Sequence, residues 1–247
     1  MIFIAISSGK FHSFDLAKAT RNSVINHGVW EQSFNIKHMS SKVDERRNQN
    51  FKPILVSIEG NIGAGKTTLL ENLRMRRPDW TFINEPVDSW SKIRNEKDQS
   101  ILEVFYEDRK RWSYTFQNCA LLTRYQEIEA AITAAKVSFA TSSANDVNYC
   151  TSPKVFLTER CLDTDYHVFT KMLKADGSLN SIELQLYERL LKQLKTTATP
   201  LSAIVHVNTS PIVCMDRIKS RGRAGTQHIV FFQKIFLPSK ITHTHQK

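Results

Sequence analysis

The sequence predicts an α/β domain built on a parallel sheet with helices on both faces. Three observations lead there. From Pro53 onward, short apolar segments of strand length alternate with longer segments of helical period. The first such strand runs straight into Gly60-Asn61-Ile62-Gly63-Ala64-Gly65-Lys66-Thr67, which fits GxxxxGK[ST] without a mismatch, and a helical segment follows at once. No uninterrupted apolar stretch approaches the ~20 residues of a membrane span, while 41% hydrophobic and 23% charged residues exclude a wholly disordered chain.

The elements follow in order. Ile54–Glu59 (ILVSIE) reads as a buried strand and residues 65–76 as the helix that opens on the glycine-rich turn. Trp80–Asn84 is a second strand. Asp108 is placed to cap a long helix reaching about Ala135, with Trp112, Phe116, Cys119, Ala120 and Thr123 on one face. Residues 137–153 are rich in Ser, Asn and Thr and read as a loop. Lys154–Thr158 (KVFLT) is the next strand, followed by helices at about 161–174 and 181–195 around an Asp176–Gly177 turn. Leu201–Val207 (LSAIVHV) is a further strand, and Ser210–Pro211 opens another helix with a cap and a first-turn proline.

The chain has 247 residues with 34 Lys and Arg against 24 Asp and Glu, a formal net charge of +10. More than half of that excess lies at the two ends: residues 1–51 carry a net of +3, residues 226–247 another +3, and 52–225 only +4. A basic balance of this kind fits an enzyme with basic tails better than a nucleic-acid binder, whose charge clusters on the binding domain. The four cysteines are far apart and form no CxxC pair, which fits a reduced, intracellular chain without a zinc ribbon or disulfide framework. Residues 1–52 read as a disordered extension, with a targeting presequence as the alternative, so cytoplasm and mitochondrion both stay open.

The chemistry starts at the glycine-rich loop. Glycines 60, 63 and 65 let the backbone turn tightly and aim successive N–H groups at an anion, and the following helix adds the positive end of its dipole. Lys66 is the residue that reaches the β- and γ-phosphates and Thr67 the one whose hydroxyl ligates Mg²⁺; Asn61, Ile62, Ala64 and Thr68 complete the nucleotide-binding segment. Such a loop specifies a nucleotide but not a reaction. Glu85 follows the second strand, and Glu159-Arg160 ends KVFLT. The carboxyl ends of parallel strands are where an open sheet binds ligands, so these groups converge on the loop. An acid and an arginine beside a transferable phosphate are what phosphoryl transfer to a hydroxyl requires. Arg217, Arg221 and Arg223 (DRIKSRGR) form a further cluster, readable as a solvated helix end or as a lid closing on phosphates.

SIEGNIGAGKTTLL, EPVDSW, FYEDRKRWSYTFQ, TERCLDTDYHVF and DRIKSRGR, in that order and spacing, resemble the deoxyribonucleoside kinases over about residues 53–225. The resemblance implies a P-loop kinase fold, ATP with Mg²⁺, transfer of the γ-phosphoryl to the 5′-hydroxyl of a deoxynucleoside, and a homodimer formed through the 108–135 and 181–195 helices. By position, Glu85 matches the base that accepts the 5′ proton, Arg160 the arginine on the 5′-oxygen and the moving phosphoryl, and Glu159 the acid that helps hold Mg²⁺. Gln117 matches the glutamine on the base edge, and Phe116 and Phe169 the aromatic pair that sandwiches the base. Trp90 and Ile62 match residues that line the nucleoside pocket, and Tyr106 the tyrosine on the 3′-hydroxyl. Arg124 and Asp165 match the pair that favours deoxycytidine and purine deoxynucleosides over thymidine. Arg221 and Arg223 match lid arginines, and Arg217 the arginine against the donor's adenine.

Two departures from that family shape the expectations. Cys161 stands where the ERS motif has serine. After Gly225 the sequence no longer follows the family: TQHIVFFQKIFLPSKITHTHQK has no acid and no glycine, and its three histidines make no plausible metal site. The sheet is therefore expected to hold four of its five strands, leaving LSAIVHV as an exposed apolar edge and the chain a weak or inactive kinase. A non-catalytic, truncated chain that dimerises or misfolds is the rival reading.

Overall fold

The computed structural model describes residues 2–7, 51–141 and 153–222. Its centre is a five-stranded parallel sheet made of β1 (Ile2–Ser7), β2 (Pro53–Gly60), β3 (Thr81–Ile83), β4 (Lys154–Glu159) and β5 (Leu201–Asn208). The spatial order is β1-β5-β2-β4-β3. The helices are α1 (Lys66–Arg76), α2 (Val87–Lys92), α3 (Ile101–Glu107), α4 (Arg109–Thr141), α5 (Leu162–Thr164), α6 (Lys171–Ala175), α7 (Ser181–Lys195) and α8 (Pro211–Arg221).

The central strands β2 and β4 are buried along most of their length, as parallel strands covered on both faces must be. Val56, Ile58, Leu157, Val205 and Val207 form one core cluster with Leu69 and Leu70 of α1 and Cys214 of α8. Leu55, Ile83 and Phe156 pack under Ile128 and Ile132 of α4. Local signals explain the helix starts. Asp108 Oδ1 accepts the Arg111 N–H at 3.1 Å, Asn180 and Glu183 form a capping box on α7, and Ser210 Oγ accepts the Val213 N–H at 3.4 Å.

The expectation of an open β5 edge is corrected. Ile2–Ser7 lies parallel to β5, with Ile2 in register with Ala203 and Ser7 with Asn208. The sheet thus has five strands, and the position expected to be vacant is filled from the other end of the chain. Residues 2–7 are not the disordered start of an extension. The physical reason is the row of unpaired N–H and C=O groups on β5, which accepts any strand of suitable propensity; IFIAIS, rich in β-branched and aromatic residues, is one. The tail after Gly222, including Arg223 and IVFFQKIFL, lies outside the described residues.

Three smaller differences bear on the site. The long helix continues to Thr141, into the segment expected to be loop. The short helices α2 and α3 appear where no helix was expected; α3 opens on a Ser100–Glu103 capping box. The helix expected over 161–174 is broken by a wide, i→i+5 turn at Asp165–Thr170 between α5 and α6. Such widened turns collect at functional sites because they re-aim side chains.

Candidate active site

Strand β2 delivers the glycine-rich loop to the carboxyl edge of the sheet. A Cβ on Gly60 would sit 2.7 Å from the Val207 carbonyl oxygen, and one on Gly63 would sit 2.6 Å from that of Cys214. Both residues have positive φ, 146° and 77°, so close approach and backbone conformation each demand glycine. Gly65, at φ 98°, is the N-cap of α1. The loop is held from several sides. Ala64 N donates to Asn61 O at 3.1 Å, Thr209 Oγ1 donates to Ala64 O at 2.9 Å, and Asn61 Oδ1 accepts the Ile62 N–H at 2.8 Å.

Lys66 is buried. Its Nζ donates to Asn61 O at 3.0 Å and lies 3.6 Å from Glu159 Oε1. Burial, with the Arg160 charge nearby, pulls its pKa down to about 8 despite three neighbouring carboxylates. Thr67 Oγ1 donates to Glu159 Oε2 at 2.8 Å. A hydroxyl and a carboxylate joined at the foot of a phosphate-binding loop are hard oxygen donors. That set suits Mg²⁺, which uses one or two carboxylates and takes its remaining ligands from phosphate and water. Among the described residues, no group of three or more His, Cys, Asp or Glu is arranged to hold a metal ion by itself. Thr68 is exposed on the first turn of α1.

A second constellation stands beside the first. Arg124 of α4 is 2% exposed and has three partners: Nε donates to Asp165 Oδ2 at 2.9 Å, Nη1 to Glu159 O at 2.8 Å and Nη2 to Glu85 Oε1 at 3.3 Å. Arg160 completes it. Its Nε lies 3.2 Å from Glu85 Oε1 as an ion pair without hydrogen-bond alignment, and Nη1 is 3.9 Å from Glu59 Oε2. Arg160 also has φ 70°, a left-handed conformation that a non-glycine residue adopts at a cost. Burial by itself raises the Glu85 carboxyl, but Arg160, Arg124 and Lys66 outweigh it and hold the pKa below the ordinary carboxylate value. For Asp165 burial outweighs Arg124, and the pKa lies above the ordinary value.

These groups open onto a cavity between α2, α3, α4 and the wide turn, lined by Ile62, Trp90, Tyr106, Gln117 and Phe169 among others. Phe116 lines it as well but is stacked on Phe105, with ring centroids 4.6 Å apart, and meets Trp90 edge-on at 5.2 Å. The Arg160 guanidinium lies over the Phe169 ring at 4.8 Å. Trp90 Nε1 donates to Thr123 Oγ1 at 2.9 Å, which fixes the indole at the wall. Arg217 reaches back from α8, and its Nη1 donates to Gly63 O at 3.3 Å and Ala64 O at 3.2 Å. Arg221 is exposed at the end of α8, away from these contacts.

The structure therefore gathers Lys66, Thr67, Glu85, Glu159, Arg160, Arg124 and Asp165 within one network of direct contacts. Arg124 and Asp165 are joined as a pair and both line the cavity, and Arg217 bonds the loop backbone. Sequence reasoning passed over Glu59, Phe105 and Thr170. Glu59 had the same signal that selected Glu85 and Glu159, an acid at the carboxyl end of a strand; Phe105 and Thr170 gave none, since both read as ordinary core.

A nucleotide loop at the switch between strands, with an acid and an arginine at the next two strand ends, defines a P-loop phosphotransferase. The comparisons narrow the class. The family model described as deoxynucleoside kinase matches residues 56–232, which carries the match past Gly225. Deoxycytidine kinase 2 of Gallus gallus is 31% identical over 190 residues, covering 70% of this chain and 67% of the relative. Deoxycytidine kinase of Homo sapiens is 28% identical over 189 residues, with 70% and 68% covered. The mitochondrial deoxyguanosine kinase of Xenopus laevis is 29% identical over 181 residues, with 68% and 64% covered. The chain belongs to the deoxynucleoside kinase family. Among the described residues, no helix is long and apolar enough to cross a membrane.

Proposed function

We propose that this chain transfers the γ-phosphoryl of ATP, with Mg²⁺, to the 5′-hydroxyl of a deoxynucleoside for salvage, and that deoxycytidine or a purine deoxynucleoside is preferred. The observation that carries the reading is the Glu85 carboxylate. It opens on the apolar cavity, is bracketed by Arg160 and Arg124, and stands one strand away from the Lys66–Thr67–Glu159 group.

In this reading the nucleoside base enters between Phe116 and Phe169 and meets Gln117, while Tyr106 takes the sugar end. The 5′-hydroxyl donates to Glu85, which orients it for in-line attack and accepts its proton. Phosphoryl transfer of this loose kind needs positioning and charge neutralisation more than covalent help. Lys66 and the loop N–H groups hold the donor phosphates, and Arg160 follows the charge from the attacking oxygen to the moving phosphoryl. Thr67 and Glu159 would hold Mg²⁺, which would supply charge neutralisation for the donor phosphates. Arg217, Arg221 and Arg223 close over the donor.

A homodimer is part of the proposal. Leu122 of α4 is 41% exposed, and Ile182 and Leu186 of α7 are 71% and 47% exposed, on the two helices assigned to the interface.

Glu85→Gln tests the assignment. The amide keeps the shape but cannot accept a proton, so turnover should fall by about 10²–10⁴ while nucleoside binding, read by calorimetry, persists. Turnover like that of the parent would remove Glu85 from its role. A panel of deoxynucleosides tests the substrate class: thymidine as the best substrate refutes the preference.

A further inference from the structure

Trp90 of α2 and Thr123 of α4 are joined by one hydrogen bond whose direction chemistry fixes. An indole N–H can only donate, and this one donates to Thr123 Oγ1 at 2.9 Å. The threonine hydroxyl has a single hydrogen, and that is given to its own preceding turn, to Cys119 O at 2.7 Å with Ala120 O at 3.3 Å. Its lone pairs are therefore what the indole meets. No rotation of the hydroxyl can reverse the roles, because an indole has no acceptor. Trp90 is 5% exposed and lines the cavity, whereas Thr123 does not line it.

The bond acts on a wall of rings. Trp90 meets Phe116 edge-on, with centroids 5.2 Å apart and the rings at 78°. Phe116 is stacked in turn on Phe105. All three rings are more than nine-tenths buried. In a close-packed interior a ring wedged between two others has no independent freedom, so a turn of the indole is passed to Phe116. The chemical end of the site is insulated from such a turn. Glu85 immediately precedes the Pro86 N-cap of α2, but it has its own ion pairs to Arg124 at 3.3 Å and Arg160 at 3.2 Å.

We infer that Thr123 is a positioning residue for nucleoside affinity: its hydroxyl oxygen holds the Trp90 indole against α4 and thereby sets the Phe116 ring where a base stacks. Thr123 itself touches neither base nor phosphate. The inference rests on the reading that the base enters between Phe116 and Phe169.

The experiment uses the full chain with deoxycytidine and ATP. It measures kcat, both KM values and the deoxycytidine Kd by calorimetry in the parent, Thr123→Val, Thr123→Ser and Phe116→Leu. Thr123→Val keeps the shape and removes the oxygen. A buried N–H without an acceptor is unfavourable, so the freed indole turns toward water in the cavity and binding has to return it. The deoxycytidine KM and Kd should rise together by about three- to tenfold, with kcat and the ATP KM at parent values. Thr123→Ser should keep the parent affinity. A packing role predicts the reverse order, since valine fills the site and serine does not. Thermal melting shows whether Thr123→Val is folded; Thr123→Cys, which keeps the size but accepts weakly, takes its place if it is not. Parent-like affinity in the folded Val or Cys variant, with affinity lost in Phe116→Leu, overturns the role of Thr123. A fall in kcat of similar size, with or without the loss of affinity, puts the effect of the bond on Glu85 through α2 and overturns it equally. Unchanged affinity in Phe116→Leu overturns the reading beneath it.

Discussion

Replacing Arg124 by methionine separates what the buried ion cluster does for stability from what it does for catalysis. Arg124 and Asp165 are each 2% exposed as side chains, so methionine leaves a carboxylate stranded in the interior and the Glu159 carbonyl without its partner at 2.8 Å. Removing one member of a buried pair costs about 3–5 kcal/mol, whereas exchanging the whole pair for apolar groups of similar volume is close to neutral. Arg124→Met is thus expected to lose about 4 kcal/mol, and Arg124→Met with Asp165→Leu to recover at least half of it. The residual loss is about 1–2 kcal/mol for the orphaned carbonyl. Urea unfolding at fixed protein concentration measures the cycle. The pH dependence has a definite sign. Without Arg124, burial and the Glu85 charge act on Asp165 against the weaker pull of Arg160 alone and lift its pKa further above the unfolded value of 3.8. The folded variant then binds more protons than the unfolded chain, so its deficit against the parent grows as pH rises from about 4 toward 7. A single-variant loss below about 1 kcal/mol, or additivity in the cycle, would refute the argument that the pair is held together by mutual need.

Three further outcomes are expected. Lys66, at about 8 against an unfolded 10.5, binds fewer protons folded than unfolded between those values, so stability without nucleotide rises with pH across that window by up to ~3 kcal/mol. ATP phosphates reverse the cause, and calorimetry in buffers of different ionisation enthalpy should show proton uptake at about pH 9 that Lys66→Met abolishes; equal uptake in both would exclude Lys66 as the source. Cys161 occupies the N-cap of α5 without a side-chain cap bond, so Cys161→Ser should raise stability by about 1 kcal/mol in urea unfolding, and a loss would show that the buried thiol's packing matters more. Deleting residues 2–7 uncovers the β5 edge, which should lower the melting temperature and produce concentration-dependent aggregation by light scattering; unchanged behaviour in both would mean that β1 pairing contributes nothing.

By itself the sequence determined the class of fold and the nucleotide end of the site. Both rest on local rules. A strand followed by GNIGAGKT has few backbone conformations open to it, because Gly60 and Gly63 meet neighbouring carbonyl oxygens that any side chain would strike. Glu85 and Glu159 were legible because strand ends in a parallel sheet converge wherever the strands are. Three things were decided only by the tertiary structure, each through partners distant in sequence. The first is the filling of the β5 edge by Ile2–Ser7, since IFIAIS has strand propensity of its own but which edge stands open decides where it pairs. The second is the reach of Arg124 beyond Asp165, with which the resemblance already paired it, to Glu85. Its sequence neighbours describe an amphipathic helix, but the low-dielectric interior forces a buried guanidinium onto Asp165 and Glu85, 41 and 39 residues away. The third is the contact of Thr170 with Gln117. A single helical period runs through residues 161–174 in the sequence, and only packing against α4 opens the wide turn that brings this hydroxyl to an amide 53 residues away.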